Sequence, residues 1–434
     1  MQSSLHDPAG FEVLFDDTHA VANAGLVLVA MCSKTLGIEA AANEFIDLGE
    51  RAGASRPGRK ILTLMHSMVV GGDCFDDVDV LRSGSTEELL GHRVMAPSTV
   101  GTFLRSFTFG HVRQLDRLFS VILERAWSAG AGPGDTPMTI DLDSTVCEVA
   151  GHDKQGAAYG YTKQLGYHPL LATRADTGEI LGVRQRKGSA NSGRGAPRFI
   201  GELVARIRRG GASGPLTLRA DSGFFSWKVI DTLKTKNVAF SITVPKNPAV
   251  TRTIDRIDEE SWTPIFYTED GEAHVSETVY GENNDRLVVR RTRLTGPQAA
   301  LWPDWRYHTF ITNRHGDAVS LDADHRRHAV VELAIRDWKQ GSGANHCPSG
   351  VFAANAAWLV LAALAHNLIR WVAALGAGID GPVVAKTLRR HLITLPGRIT
   401  HRSRRRILHL PKNWPWKQEF LTAVARLHGL PQLC

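Results

Sequence analysis

Cysteine is scarce in this chain of 434 residues: there are five, an odd number, and no two stand at a Cys-x-x-Cys spacing. Cys32, Cys74, Cys147, Cys347 and Cys434 therefore indicate neither a disulfide framework nor a zinc knuckle. The opening Met-Gln-Ser-Ser-Leu-His-Asp-Pro lacks the basic start and apolar core of a secretory leader, so a cytoplasmic location is expected. No apolar run of membrane width is free of polar side chains. The longest, 351–374, holds Asn355, His366, Asn367 and Arg370, which predicts a buried amphipathic helix and no membrane partner. Internal repeats and low-complexity tracts are absent, and 43% hydrophobic with 22% charged residues is a globular composition, which excludes disorder. One stretch lacks acid altogether. From Gly381 to Gln418 there are ten Lys or Arg and no Asp or Glu, and since the whole chain carries only +7, the remainder is mildly acidic. A block of one sign repels itself unless it faces an anion, and a phosphate backbone is the commonest such partner.

The length predicts two to three domains. Residues 1–130 read as a helical N-terminal region after a short strand at Phe11–Phe15, with apolar residues at helical spacing in 24–31, 38–48, 61–70 and 112–127. Within it, 96–107 reads as a Ser-capped short helix carrying Arg105. Short helices joined by tight turns suit a DNA reader, and they equally suit an ordinary small bundle. The Gly and Pro of 129–137 mark a linker. Strand-like runs follow at 138–149, 167–174, 180–186, 216–220 and 238–244, with helical runs at 199–209 and 227–236. Three strands, a helix, a strand, a helix and a strand is the order of a ribonuclease-H-like α/β fold. Residues 131–246 thus form the first part of a core, 247–320 a β-rich insertion, and 321–375 its final helices. A basic, helical C-terminal region at 376–434 completes the expectation.

Three acidic residues stand out by their settings. Asp143 lies in Ile-Asp-Leu-Asp-Ser-Thr (140–145) and Asp221 in Leu-Arg-Ala-Asp-Ser-Gly-Phe (218–224), both at ends of strand-like runs, while Glu332 lies on a helix. Carboxylates from distant segments that meet at one point make a Mg²⁺ site, because this ion takes a few carboxylate oxygens and leaves its other positions to water and phosphate. Two such ions supply both the nucleophile and the charge stabilisation that phosphodiester cleavage needs. Asp143 would bridge the pair, with Asp221 on one ion and Glu332 on the other; Mn²⁺ is a possible substitute. Each has a rival reading. Asp141 shares the sheet face of Asp143, and Asp221 before Ser222-Gly223 is also ordinary turn chemistry. Asp337 competes with Glu332, but it lies about 140° around the helix, whereas Lys339 returns to the face of Glu332.

These motifs resemble the DDE-type transposases of bacterial insertion sequences, in the group with a β-rich insertion before the last Glu. Asp-Ser-Thr at 143–145 resembles that group's first motif and Ala-Asp-Ser-Gly-Phe at 220–224 its second. The third is Tyr, two residues, Arg, three residues, Glu, six residues, Lys. Glu332 and Lys339 fit it, while His325 and His328 stand in the Tyr and Arg places with Arg326 and Arg327 beside them as alternative cations. Gly-Tyr-His-Pro-Leu-Leu (166–171) and Asn-His-Cys-Pro-Ser-Gly (345–350) are also similar to family segments.

The resemblance implies a nucleoid-associated bacterial enzyme of cut-and-paste transposition, which binds terminal inverted repeats of double-stranded DNA, pairs two ends as a homodimer, cleaves them and joins the 3′ ends to target DNA. It further implies DNA contacts from Lys339, His325, His328, Arg326 and Arg327. Arg402, Arg404, Arg405 and Arg406 join them by charge, and Arg105 by its place on the short helix. An aromatic ring in the insertion, Trp262, Trp302 or Trp305, would hold a flipped base, and core packing is the competing role for each. A non-catalytic DNA-binding protein and a structure-selective nuclease on the same fold remain the alternatives.

Overall fold

Short runs of aliphatic and hydroxyl residues, bounded by glycine, proline or charged turns, make the strands of one large sheet. The computed structural model describes residues 11–151, 153–160, 162–267, 271–294, 305–379 and 381–433. A two-residue strand β1 (Ala20–Val21) precedes six helices: α1 (Leu26–Thr35), α2 (Ile38–Phe45), α3 (Pro57–Val70), α4 (Thr86–Leu90), α5 (Pro97–Arg105) and α6 (Phe109–Ala126). Then come β2 (Met138–Ser144), β3 (Cys147–Glu148), β4 (Ala158–Tyr159), β5 (Leu165–Tyr167), β6 (Leu170–Arg174) and β7 (Ile180–Arg184). Helix α7 (Ala196–Arg209), strand β8 (Leu216–Ala220), helix α8 (Trp227–Thr235), strand β9 (Ala239–Thr243) and helix α9 (Pro248–Ile254) follow. Next are β10 (Thr263–Ile265), β11 (Gly271–Tyr280), β12 (Asp285–Leu294) and β13 (Arg306–Thr312). The chain ends with α10 (Ala318–Arg326), α11 (Val331–Gly341), α12 (Phe352–Trp371), α13 (Ala385–Leu388), β14 (Gly397–Arg402), β15 (Arg405–His409) and α14 (Lys417–Gly429).

Nine strands join in the order β10-β11-β12-β13-β9-β8-β2-β6-β7. Strand β8 runs parallel to β2 and to β9, and the other pairs are antiparallel. Strands β6 to β9 are almost wholly buried, and for β8 and β9 this is what parallel strands covered on both faces require. The insertion does not form a sheet of its own. Strand β13 pairs with the open edge of β9, Ile311 opposite Ile242, so β10 to β13 prolong the central sheet. Its own core is small: Val275, Val288, Phe310 and Leu321.

Three local expectations are corrected. Phe11–Phe15 is exposed and irregular, and the opening strand is Ala20–Val21, which pairs with β14. Helix α5 starts on Pro97 with Ala96 before it, so Ser98 lies inside the first turn and is not the cap. The basic stretch near the C-terminus is not helical between 397 and 409: it is the β14–β15 hairpin, followed by α14.

Helix α12, apolar nearly all round, is the axis on which both parts of the chain pack. It is long enough to cross a membrane, yet it lies inside the protein against α3, α5 and α6 on one side and β7 on the other. The N-terminal helices therefore share one continuous core with the sheet. Two buried polar clamps fix the junction. The Asn367 side chain accepts from Ile180 N and donates to Ile180 O, each at 2.8 Å, satisfying edge strand β7. The Glu179 carboxylate accepts from the indoles of Trp127 at 2.9 Å and Trp371 at 2.6 Å, and burial pushes its pKa up to about 7. Replacing Asn367 by Leu strands both backbone groups of Ile180. The expected cost is about 2–4 kcal/mol, seen as a lower denaturant midpoint at an unchanged slope; a loss below about 1 kcal/mol would show the clamp to be dispensable.

Candidate active site

A buried ionic cluster ties together the three elements that carry the acidic residues. Asp141 on β2 receives Arg219 of β8 through both oxygens, at 2.8 and 2.9 Å. Arg219 also reaches Asp324 of α10, at 2.7 Å to the carbonyl and 3.3 Å to the carboxylate. His328, in the turn leading into α11, adds Nδ1 at 2.9 Å from the same Asp141 oxygen that takes Arg219 Nε. Asp141 and Arg219 are nearly inaccessible to solvent, so removing either leaves an uncompensated buried charge. The bidentate arginine occupies Asp141, and among the two aspartates of β2 the one free to face outward is Asp143.

Each of the three acids stands a fixed step from this cluster. Asp143 is two residues beyond Asp141, on the same face of β2; Asp221 is two beyond Arg219, past the end of β8; Glu332 is one helical turn beyond His328. Their charges converge. Burial pushes the Asp143 pKa up to about 6, and the carboxylates of Asp221 and Glu332 push the same way, while the Ser144 amide, 2.6 Å from Oδ1, and His328 pull it back. Asp221 Oδ1 accepts the Gly223 amide at 3.0 Å, the turn bond expected of Asp-x-Gly, so the turn reading is correct and leaves the exposed carboxylate open to a second role. The same residue lines an open groove of about 810 Å³ with Ser192, Arg194, Phe225 and Ser226.

The charges of Asp221 and Glu332 act on Asp143, but the three carboxylates do not close into a tight cage. Among the described residues only Asp73, Cys74 and Asp77 bring three ligand-type atoms within 4.8 Å of one another, and there the Asp77 carboxylate already accepts the amides of Asp73 and Cys74 at 2.7 and 2.9 Å. The like-charge repulsion on Asp143 is what divalent cations would relieve. Asp337 is excluded as a rival of Glu332: it is buried, 2.7 Å from Arg370 and bonded to the Ala385 amide at 2.9 Å.

The other expected residues divide by environment. Lys339 donates to Val146 O at 2.8 Å, which places its ammonium just past the end of β2. His325 is not at a DNA-facing surface. Its ring is stacked on Phe310 at 4.2 Å and bonded to Ser241 and Thr243 at 2.7 and 3.0 Å, and burial holds its pKa far below the ordinary range. Arg326 is tied to Asp322 at 3.0 Å, whereas Arg327 is exposed with no partner among the described residues. Trp262 and Trp305 both lie against the Arg291 guanidinium, at 4.3 and 4.4 Å, and Trp305 also meets Arg293 at 4.6 Å, so neither offers a bare ring. Trp302 lies outside the described residues. Arg105 is exposed at the end of α5, and Arg402, Arg404, Arg405 and Arg406 are exposed on the β14–β15 hairpin.

Sequence reasoning missed the groove wall. Buried Arg186 gathers the carbonyls of His168, Asn191, Ser192 and Arg194 at 2.7 to 3.0 Å, and His168 Nδ1 donates to Ala190 O at 2.6 Å. The loop so shaped presents Ser192, 3.0 Å from Ser144, and exposed Arg194 beside Asp221. The Gly-Tyr-His-Pro segment thus anchors this loop. The available signal was the run Gly-Ser-Ala-Asn-Ser-Gly-Arg-Gly at 188–195, small residues directed into a groove. Also missed was Trp227, which is exposed and lies near-parallel to Tyr280 at 6.3 Å.

A large mixed sheet packed with helices, in a chain matched over nearly its whole length by one family model, defines a DDE-type transposase. The chain belongs to the family described as Transposase DDE domain group 1, whose model matches residues 7–432. Among solved structures it is similar to a piggyBac transposase synaptic complex with hairpin DNA, at 14% identity and a TM-score of 0.44, covering 86% of this chain and 79% of that one. No curated protein matches it significantly.

The charge on Asp143 makes a testable demand on stability. Its folded pKa is raised above the ordinary 3.8, so its contribution is fully present below about pH 4 and is lost as the pH rises through about 6. Asp143→Asn should therefore stabilise the metal-free protein at pH 7 to 8 by on the order of 2 kcal/mol, with the gain vanishing near pH 4. Melting curves across that range check it; a gain that grows towards acid would show that Asp143 is not destabilised by its neighbours.

Proposed function

We propose that this chain is a cut-and-paste transposase whose central strands form a ribonuclease-H-like catalytic core, with Asp143, Asp221 and Glu332 as the ligands of two Mg²⁺ ions. The observation that carries the reading is the convergence of two acidic charges on the half-buried Asp143. Bound there, the ions would lower the pKa of a water or 3′-hydroxyl and neutralise the leaving oxygen. Asp143 would face both ions, Asp221 one and Glu332 the other. Lys339, placed beside β2 by its bond to Val146 O, would meet a phosphate of the scissile strand. Arg194 and Arg327, both exposed, would grip the flanking backbone. His328 acts through Asp141, holding α11 in register with β2. The substrate is double-stranded DNA bearing the inverted repeats of an insertion sequence, brought together by two protomers. Trp227, exposed on the surface but near-parallel to Tyr280 on one side, is a further candidate ring for an extruded base.

The test uses duplexes carrying the genomic DNA that flanks the gene, with Mg²⁺ or Mn²⁺. Wild-type protein should nick them, and Asp143→Ala should lose cleavage by at least about 10³-fold while binding the same duplex within about twofold, since one deleted ligand removes the ions' register and not the DNA surface. Cleavage retained by the variant would reject the assignment. Binding by the wild type without metal-dependent nicking would instead favour a non-catalytic DNA-binding protein, and cleavage only at branched DNA a structure-selective nuclease.

A further inference from the structure

The β14–β15 hairpin carries two local costs in the free protein. Strand pairing sets Arg402 directly opposite Arg405, two like charges on neighbouring strands. The two turn residues, Ser403 and Arg404, have φ of 48° and 66°, a left-handed pair normally left to glycine and asparagine. Among the described residues, none of Arg402, Arg404, Arg405 and Arg406 has an acidic partner within ion-pair distance.

Cross-strand register sorts these cations onto two faces, because opposed residues share a face and faces alternate along the strand. Ile399 and Leu408 face inward and are covered, and His401 with Arg406 lies on that same side. There His401 bonds Glu88 at 2.8 Å, and Arg406 lines a cleft with that same Glu88. The outward face carries Arg402 and Arg405, with Thr400 and Ile407 behind them and Arg404 at the tip. A two-stranded ribbon is a shape that B-form DNA admits in its major groove.

We infer that the outward face of this hairpin docks on duplex DNA through Arg402, Arg405 and the tip residue Arg404, while Arg406 serves the protein's own surface. The inference rests on the transposase reading and narrows it, since the four arginines are no longer equivalent. The phosphates would supply the counter-charge that the opposed pair lacks.

The full-length chain tests this with a duplex of arbitrary sequence, by measuring affinity over a salt series. Arg402→Ala/Arg405→Ala should lower the slope of log K against log salt by about 1.8, from two lost phosphate contacts, whereas Arg406→Ala should leave it unchanged. Arg402→Lys/Arg405→Lys, which keeps the charge, should restore the slope and so exclude a folding defect. An unchanged slope in the double alanine variant, an equal loss in Arg406→Ala, or the same drop on single-stranded DNA of equal length would each overturn the proposal. If the wild-type chain bound no duplex, the transposase reading would fall with it; binding with an unaltered slope would remove the hairpin alone.

Discussion

The bond between Asp141 and Arg219 is the constraint on which the site depends. A buried carboxylate and a buried guanidinium each carry a desolvation cost of several kcal/mol, offset only when the geometry is bidentate and the remaining donors are satisfied. Here Asp324 and His328 complete that satisfaction, and both belong to the segment that leads into α11. One interaction thus decides how two adjacent strands and a helix from more than a hundred residues further on are aligned. A side chain two positions along either strand, or one turn along the helix, inherits the alignment. That is where Asp143, Asp221 and Glu332 lie. The arrangement separates two duties of acidic residues. Asp141 and Asp337 are paired with arginine and hold elements together, and the three others have no such partner among the described residues.

The site's electrostatics follow from that division. With no arginine paired to it among the described residues, Asp143 answers chiefly to burial and then to its acidic neighbours, which pushes its pKa up to about 6. The groove beside it is lined on the far side by a loop whose carbonyls converge on Arg186. A backbone shaped by one buried cation presents Ser192 and Arg194 to the opening.

Much of this was legible from residue order, and what was not has identifiable causes. The central strands and the helices between them appear within a few residues of expectation, because their apolar runs are bounded by clear turn residues. The choice between Asp141 and Asp143 stayed open, since it is decided by Arg219, 78 residues away in sequence. His325 stands in the Tyr place of the third motif, from which a DNA contact is expected; its burial comes from Ser241, Thr243 and Phe310 on strands that only folding brings beneath it. The join of the insertion to the sheet depends on pairing β13 with β9, a contact no local pattern encodes. The C-terminal hairpin was missed because Ser-Arg is not a dipeptide that signals a tight turn.

Helix α12 has a consequence for how the molecule is made. It is the apolar axis against which α1, α3, α5, α6 and strand β7 pack, and its last residue is Trp371. Until the ribosome has released that far, several segments rich in exposed aliphatic side chains have nothing to close upon, a condition that invites aggregation. During synthesis those apolar faces therefore stay uncovered until α12, which ends at residue 371 of 434, has emerged.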